Sequence, residues 1–331
     1  LPLIVTWSLL LVLAAILIDA AVGYPYAIYR LIGHPVTWMG RVISWLDTLF
    51  NSPKAPDPAR RLMGVLAAVL NVGIAAAAGL GLSELLRGQP WWLALPILAI
   101  LASSLVAIRS LYDHVAAVRD ALRKRGLVAG RQAVGQIVGR NVDSLDQAGV
   151  CRAAIESLAE SLCDGVVAPL FWMGLLGLPG AAAYKAINTA DSMIGHRSER
   201  YLAFGWASAR LDDLANFLPA RLSGYLIVLS AAAVAKASPR KALEVMHRDA
   251  RKHKSPNAGW PEAAMAGALG LRLNGPKSYG EEQIDDVWLG SGRPIATPDD
   301  IHRALQVYAH AVLLLWIFTA LIALLLLMAT R

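Results

Sequence analysis

The sequence predicts an all-α, polytopic integral membrane protein with about five to six transmembrane helices, a broken or re-entrant central segment and amphipathic cytoplasmic helices. Three observations carry this expectation. First, 56% of the 331 residues are hydrophobic and 17% are charged, whereas soluble domains carry about 25% charged residues. Second, six runs approach the roughly 20 apolar residues a helix needs to cross the hydrocarbon core: residues 3–22, 62–82, 91–108, 166–184, 214–235 and 309–328. Third, the stretch 151–216 is apolar yet strewn with acids and bases, and ionisable groups at membrane depth are costly enough to mark function. The chain reads as a single membrane domain over 1–331.

Each element follows from local composition. Only Asp19 interrupts the first run, and no basic region or small-residue cleavage site accompanies it, so it reads as an anchor and not as a removable signal. Residues 23–61 carry five basic side chains and Pro25, Pro35, Pro53, Pro56 and Pro58, which predicts a loop with a short helix near 36–50. The run 62–82 is rich in Gly and Ala, which lets helices approach closely in lipid. Trp91 and Trp92 open the third run, where an interfacial aromatic belt would sit. In 109–152, Leu111, Val115, Val118 and Leu122 share one helical face and Arg119, Arg123, Lys124 and Arg125 lie elsewhere, the pattern of an amphipathic helix on the membrane surface. The fifth run contains Pro219 and Arg221, 236–308 is the longest polar segment, and the last run is uninterrupted by charge.

Most of the 31 Lys and Arg residues fall in 23–61, 109–152 and 236–308, so the positive-inside rule places these segments in the cytoplasm and both termini outside. That topology puts 185–213, the most densely charged segment, nominally outside. Pro169, Pro179 and Gly180 interrupt the run before it, and a broken helix is tolerated where it lines an enclosed or watery cavity. The expectation is therefore that this segment folds back into a pocket open to the cytoplasmic side.

Several classes are excluded or disfavoured. Cys151 and Cys163 are the two cysteines, too few for a disulfide framework or a zinc site. The net charge of +7 belongs to cytoplasmic loops, with no nucleic-acid motif beside it. There is no P-loop or dinucleotide fingerprint, no GxSxG or HExxH, and no internal repeat of the kind that transporters show.

Four clusters remain as candidates. Glu156, Glu160 and Asp164 stand at i, i+4 and i+8, which on a helix keeps three carboxylates within about 80°; they read as hard-cation ligands or as a solvated face paired with Arg152 or Lys185. In residues 188–200, NTADSMIGHRSER, Asp191 suits a metal, His196 a proton exchange, and Arg197 or Arg200 a bidentate grip on phosphate; a surface turn with local ion pairs is the bland alternative. Arg210, Asp212, Asp213 and Asn216 fit either a metal site or acids set against a helix dipole. Arg248, Arg251, Lys252, His253 and Lys254 run into a turn with Asn257 and Glu262, a cradle for a phosphorylated or polycarboxylate ligand or a strip for anionic lipid. His34 and Pro35 form a rigid loop end or a pocket wall.

These stretches resemble a known family. ESLAESLCDGVVAPLFW, YKAINTADSMIGHRSERY and FGWASARLDDLANFLPARL, flanked by GHPVTWMGR at 33–41 and RDARKHKSPNAGWPEAAMAGALGLRLNGP at 248–276, are similar in content and order to the adenosylcobinamide-phosphate synthases of cobalamin biosynthesis, the CbiB/CobD family. Tyr24, Asn141 and Ser161 depart from residues common in that family, so no catalytic role is placed on them.

The resemblance implies a bacterial inner-membrane enzyme, an ATP-dependent acid–amine ligase that joins adenosylcobyric acid to (R)-1-amino-2-propanol phosphate or a related amino alcohol, giving adenosylcobinamide phosphate. ATP is a co-substrate, magnesium the expected metal, and the active site is expected to open to the cytoplasm. The resemblance fixes the motifs, and the chemistry assigns roles within them. Catalysis falls to His196, Asp191 and Lys185; substrate and phosphate binding to Arg197, Arg200, Arg248, Lys252, Asn257 and His34; metal binding to Glu156, Asp164 and Asp191. Partners beyond the substrates are the lipid bilayer and, through docking, other membrane-bound enzymes of late cobalamin assembly; no nucleic acid is expected. The competing classes are a membrane transporter for an anionic solute and a non-catalytic accessory protein like the distantly similar AmpE.

Overall fold

The computed structural model describes residues 2–139, 141–196, 198–279, 282–284 and 286–329. Arg197, one of the expected phosphate ligands, lies outside the described residues. The fold is helical, with two very small antiparallel ribbons. Among the described residues, five segments are long and apolar enough to cross a membrane: Val5–Val22, Asp57–Leu86, Trp91–Val134, Gln147–Ile194 and Pro298–Ala329. Trp206–Ala215 taken with Phe217–Ala233 makes a sixth as a broken span. The expected all-α polytopic class with five to six spans holds.

Packing divides the chain into two compact units, Leu1–Ala107 with Ala168–Asn216 and Phe318–Arg331, and Ile108–Val167 with Phe217–Ile317.

The first unit contains helices α1 (Pro2–Val22), α2 (Tyr26–Ile32), α3 (Pro35–Phe50), α4 (Asp57–Leu86) and α5 (Trp91–Ser103). It also holds α8 (Ala168–Ile194) and α9 (Trp206–Ala215). Helix α8 runs antiparallel to α4. A Cβ on Gly79 would press on the backbone of Pro179, Asn71 Nδ2 donates to Ala186 O at 3.0 Å, and a Cβ on Gly64 would overlap the Phe204 carbonyl. Falling numbers on α4 thus meet rising numbers beyond α8. Small residues on α4 permit this approach, as its Gly- and Ala-rich sequence predicts. The break in α8 is at Gly177, whose φ of 68° and ψ of −157° interrupt the helix, two residues before Pro179. A left-handed φ favours glycine there.

The second unit contains α6 (Ile108–Val134), α7 (Gln147–Ser161), α10 (Phe217–Ser230), α11 (Pro239–Asp249), α12 (Gly259–Leu269) and the first part of α13 (Pro298–Ala329). Strand β1 (Leu273–Asn274) pairs with β4 (Trp288–Leu289), and β2 (Lys277–Tyr279) pairs with β3 (Glu282–Ile284). Between α7 and α8 lies a π-helical turn, Leu162–Val167. The apolar face of α6 is where the sequence places it, but protein covers it: Val115 and Val118 are fully buried, and α6 packs on α7 and the π-helical turn. The amphipathic pattern serves the core of this unit. Helix α12 is almost wholly buried, and Gly267 lets it lie against the α11 backbone at Lys241.

Candidate functional site

In the first unit, polar side chains of α8 and α9 meet partway along α8. Asp212 Oδ2 accepts from Asn216 Nδ2 at 3.0 Å, and its Oδ1 receives a longer contact from Asn188 Nδ2 at 3.4 Å. Tyr184, fully buried, donates its hydroxyl to Asn216 Oδ1 at 2.9 Å. Asp213 takes Arg210 Nη1 at 2.9 Å. Lys185 is half-buried on α8, one residue from Tyr184 and three from Asn188, so the i, i+3 and i+4 rule sets it beside this cluster. Asp212 sits in the second half of α9 and is held by side-chain amides.

His34 approaches the same lysine. It is the N-cap of α3, its Nδ1 accepting from the Val36 N–H at 3.2 Å while Thr37 Oγ1 receives the His34 N–H at 3.2 Å. Tyr24 packs edge-on to the His34 ring with centroids 4.4 Å apart. Burial, then the charge of Lys185, lowers the His34 pKa below its ordinary value. An Nδ1 that accepts a backbone N–H carries no proton, so neutral His34 bears its hydrogen on Nε2. Of the expected residues, Lys185 is thus close enough to His34 for its charge to act there.

Asp191 lies near the end of α8, the segment after it carries His196 and Arg200, and a network that the sequence reading did not foresee straps that segment down. Arg200 Nη2 donates to Asp47 Oδ2 at 2.5 Å, and Asn51 Nδ2 donates to Asp47 Oδ1 at 2.8 Å. Arg60 donates to the Arg200 carbonyl and, through Nε, to Asn51 Oδ1 at 3.2 Å. Asp47, Asn51 and Arg60 are all buried. Glycines complete the strap: a Cβ on Gly205 would overlap the Ile194 carbonyl, and one on Gly195 would overlap the Asp191 carboxylate. His196 is exposed and stacks edge-on to Tyr201 at 5.0 Å. The charged segment thus lies at the same end of the first unit as α3 and the start of α4.

In the second unit the expected groups are placed differently. Glu156 is buried, and its Oε1 accepts the Asn274 N–H at 2.8 Å, tying α7 to β1. Glu160 is exposed, and Asp164 lies half-buried in the π-helical turn, where the wider turn ends the straight-helix register. The three carboxylates therefore do not share one environment. Arg248 and Lys252 converge on Asp249, which is buried between them in sequence and space. Arg248 donates to it through Nε at 2.9 Å and Nη2 at 2.6 Å, Lys252 Nζ at 2.7 Å, and the Gly290 N–H at 2.9 Å. Burial alone would raise the Asp249 pKa; these hydrogen bonds overcome it and hold the carboxyl well below the usual range. Asn257 is buried and accepts from Arg221 Nη1 at 2.8 Å, while Arg221 lies over Phe217 and Trp260. Arg251 is exposed and has no carboxylate partner among the described residues.

Among the described residues, no group of three or more His, Cys, Asp or Glu is placed to hold a metal ion, so Glu156, Asp164 and Asp191 are not a preformed cage. Magnesium binds characteristically through one or two carboxylates together with phosphates and water. In the first unit, Asp191 and Asp212 are the carboxylates that such a mode would use.

Sequence reasoning missed Asp47, Asn51, Arg60 and Asp249. Asp249 was hidden in a row of cations, and Asp47 gave no signal, because its partner Arg200 is 153 residues away.

A family model described as CobD/Cbib protein matches residues 12–308. A cobalamin biosynthesis protein CobD of Rhodobacter capsulatus is 50% identical over 301 residues, covering 91% of this chain and 93% of that protein. One from Sinorhizobium sp is 49% identical over 309 residues, with 92% and 95% covered, and one from Brucella suis is 47% identical over 306 residues, with 91% and 92% covered. No solved structure matches.

Proposed function

The chain belongs to the CobD/CbiB family, whose relatives are named for cobalamin biosynthesis, and from that premise we propose that it is an ATP-dependent amide ligase of that pathway. Its reaction joins a carboxylate of adenosylcobyric acid to (R)-1-amino-2-propanol phosphate, or a related amino alcohol, at a site open to the cytoplasmic side of the bacterial inner membrane. The observation that carries this reading is Lys185 one helical turn from Asn188, whose amide meets Asp212, on the helix that also carries Asp191 and leads into a strapped segment bearing His196 and Arg200.

The chemistry asks for such a set. A carboxylate is a poor acyl donor. Its oxygen attacks the γ-phosphorus of ATP, ADP leaves, and the acyl phosphate then loses inorganic phosphate to the attacking amine, which gives up a proton as the amide forms. Lys185 neutralises the phosphoryl oxygens in transit. Arg200, anchored on one side by Asp47, presents its outer N–H groups to phosphate, with Arg197 near it in sequence. His196, exposed on the strapped segment, takes the proton from the amine. Asp191 and Asp212 would hold magnesium together with ATP, which supplies charge screening of the transferring group. In the second unit, Asp249 holds Arg248 and Lys252, Arg221 holds Asn257, and Glu156 serves chiefly to hold β1.

The test is incubation of purified protein in detergent with adenosylcobyric acid, aminopropanol phosphate and magnesium, with and without ATP, read by mass spectrometry. ATP-dependent appearance of the amide-linked corrinoid supports the reading. Corrinoid binding without amide in an active preparation favours a transporter or accessory role instead.

A further inference from the structure

The first unit contains a cavity of about 220 Å³ walled by the first turns of α3, the second half of α4, the end of α5 and α8. Trp38, Val42, Ile74, Ala78, Leu101 and Leu178 give its character. Its polar lining groups are turned to the protein. Asn71 donates to Ala186 O at 3.0 Å, and Ser104 Oγ donates to Leu101 O at 2.6 Å. A buried water needs two to four polar partners, and this lining offers too few, so the space is dry.

The cavity also opens sideways between exposed apolar side chains. Trp38, Ile74, Leu82 and Leu101 line it and are 43%, 46%, 39% and 36% exposed. Ile74, Leu82 and Leu101 belong to the membrane-crossing segments Asp57–Leu86 and Trp91–Val134. At that depth the surrounding medium is hydrocarbon, so the mouth is continuous with the bilayer. A dry apolar void forfeits dispersion contacts along its walls, and the slender, flexible group at hand to restore them is a fatty-acyl tail.

We propose that this cavity is a binding site for one acyl chain of a bilayer phospholipid. The bound chain completes the packing of α3, whose Pro35, Trp38, Met39 and Val42 form one wall of the cavity. Helix α3 begins next to His34, so the lipid also steadies the turn that holds that histidine near Lys185. The site stands independently of the ligase reading, because cavity, mouth and depth are properties of the fold.

The experiment uses full-length protein in nanodiscs containing a phospholipid with a mid-chain diazirine, with cross-linked peptides mapped after illumination. In the wild type, peptides with residues 38–42 and 74–82 are labelled several-fold more than Leu313–Leu325 on the lipid-exposed part of α13. Ala78→Phe, which fills the mouth from an exposed position, removes that excess and leaves α13 labelling intact. Ala75→Leu provides the same test from the inner wall should the first variant fail to give a monodisperse protein. Labelling of the cavity peptides no stronger than α13, labelling unchanged by both fillings, or cross-links there between two copies of the chain would each overturn the proposal.

Discussion

Arg200 and Asp47 stand 2.5 Å apart, Nη2 to Oδ2, and join the charged segment after α8 to α3 across 153 residues of sequence. Asp47 is buried while Arg200 is largely exposed, so the carboxylate is the fixed partner and the arginine the part that is positioned. The same carboxylate receives Asn51 and Tyr201. Asp47→Ala should therefore lower activity by more than Arg200→Lys, because it releases the whole strap. Turnover of membrane-inserted, monodisperse protein checks this; equal activity in Asp47→Ala and wild type would remove the strap from the account.

The close approach of α4 to the strapped segment gives a steric prediction. A side chain on Gly64 must displace the Phe204 carbonyl, which is backbone and has little room to yield. Overpacking of this kind costs about 1–3 kcal/mol. Gly64→Val should lower the thermal midpoint in detergent, whereas Gly73→Val, with open space around its position, should leave it near wild type.

Asp249 predicts a pH dependence of stability. Its folded-state pKa is lowered, so its contribution is fully present above about pH 4 and is lost as pH falls through the folded value. Asp249→Asn should be less stable than wild type at neutral pH, and the difference should shrink on acidification. Thermal unfolding across that range measures it; a difference that grows at low pH contradicts the assigned hydrogen bonds.

His34 separates a structural from a chemical role. With its pKa lowered, the ring is neutral at pH 7, and protonation on acidification, below the ordinary value of about 6.5, takes the Nδ1 lone pair away from the Val36 N–H. Activity should decline along that acid limb. Asn is a good N-cap, so His34→Asn should keep the helix start and abolish the limb. If His34 also contacts substrate, the variant raises KM at neutral pH; if its role is the cap alone, KM is unchanged.

The membrane-crossing helices were legible because each is a run of apolar residues long enough to specify itself, and the six expected runs match α1, α4, α5, α8, the broken pair at Trp206–Ala233 and α13. The motifs at 185–216 were legible because charge in such surroundings is unusual. What joined them was not. Local periodicity says nothing of the π-helical turn at Leu162–Val167, which holds Asp164, or of the antiparallel seating of α8 on α4, where Gly79 meets Pro179. Arg248 and Lys252 looked like free phosphate ligands because a row of cations hides the one carboxylate that binds them. Partners remote in sequence, Asp47 with Arg200 and Glu156 with Asn274, are visible only in the fold.

The measurement that tests the central claim most directly is the fate of carboxylate oxygen. Adenosylcobyric acid labelled with 18O in its reacting carboxylate is incubated with the protein, ATP, magnesium and aminopropanol phosphate, and the corrinoid and inorganic phosphate are both analysed. The ligase account predicts amide formation only with ATP and transfer of one labelled oxygen per amide into inorganic phosphate, with both signals lost in Lys185→Ala. Amide formed without ATP, or formed with all label absent from the phosphate, would contradict it.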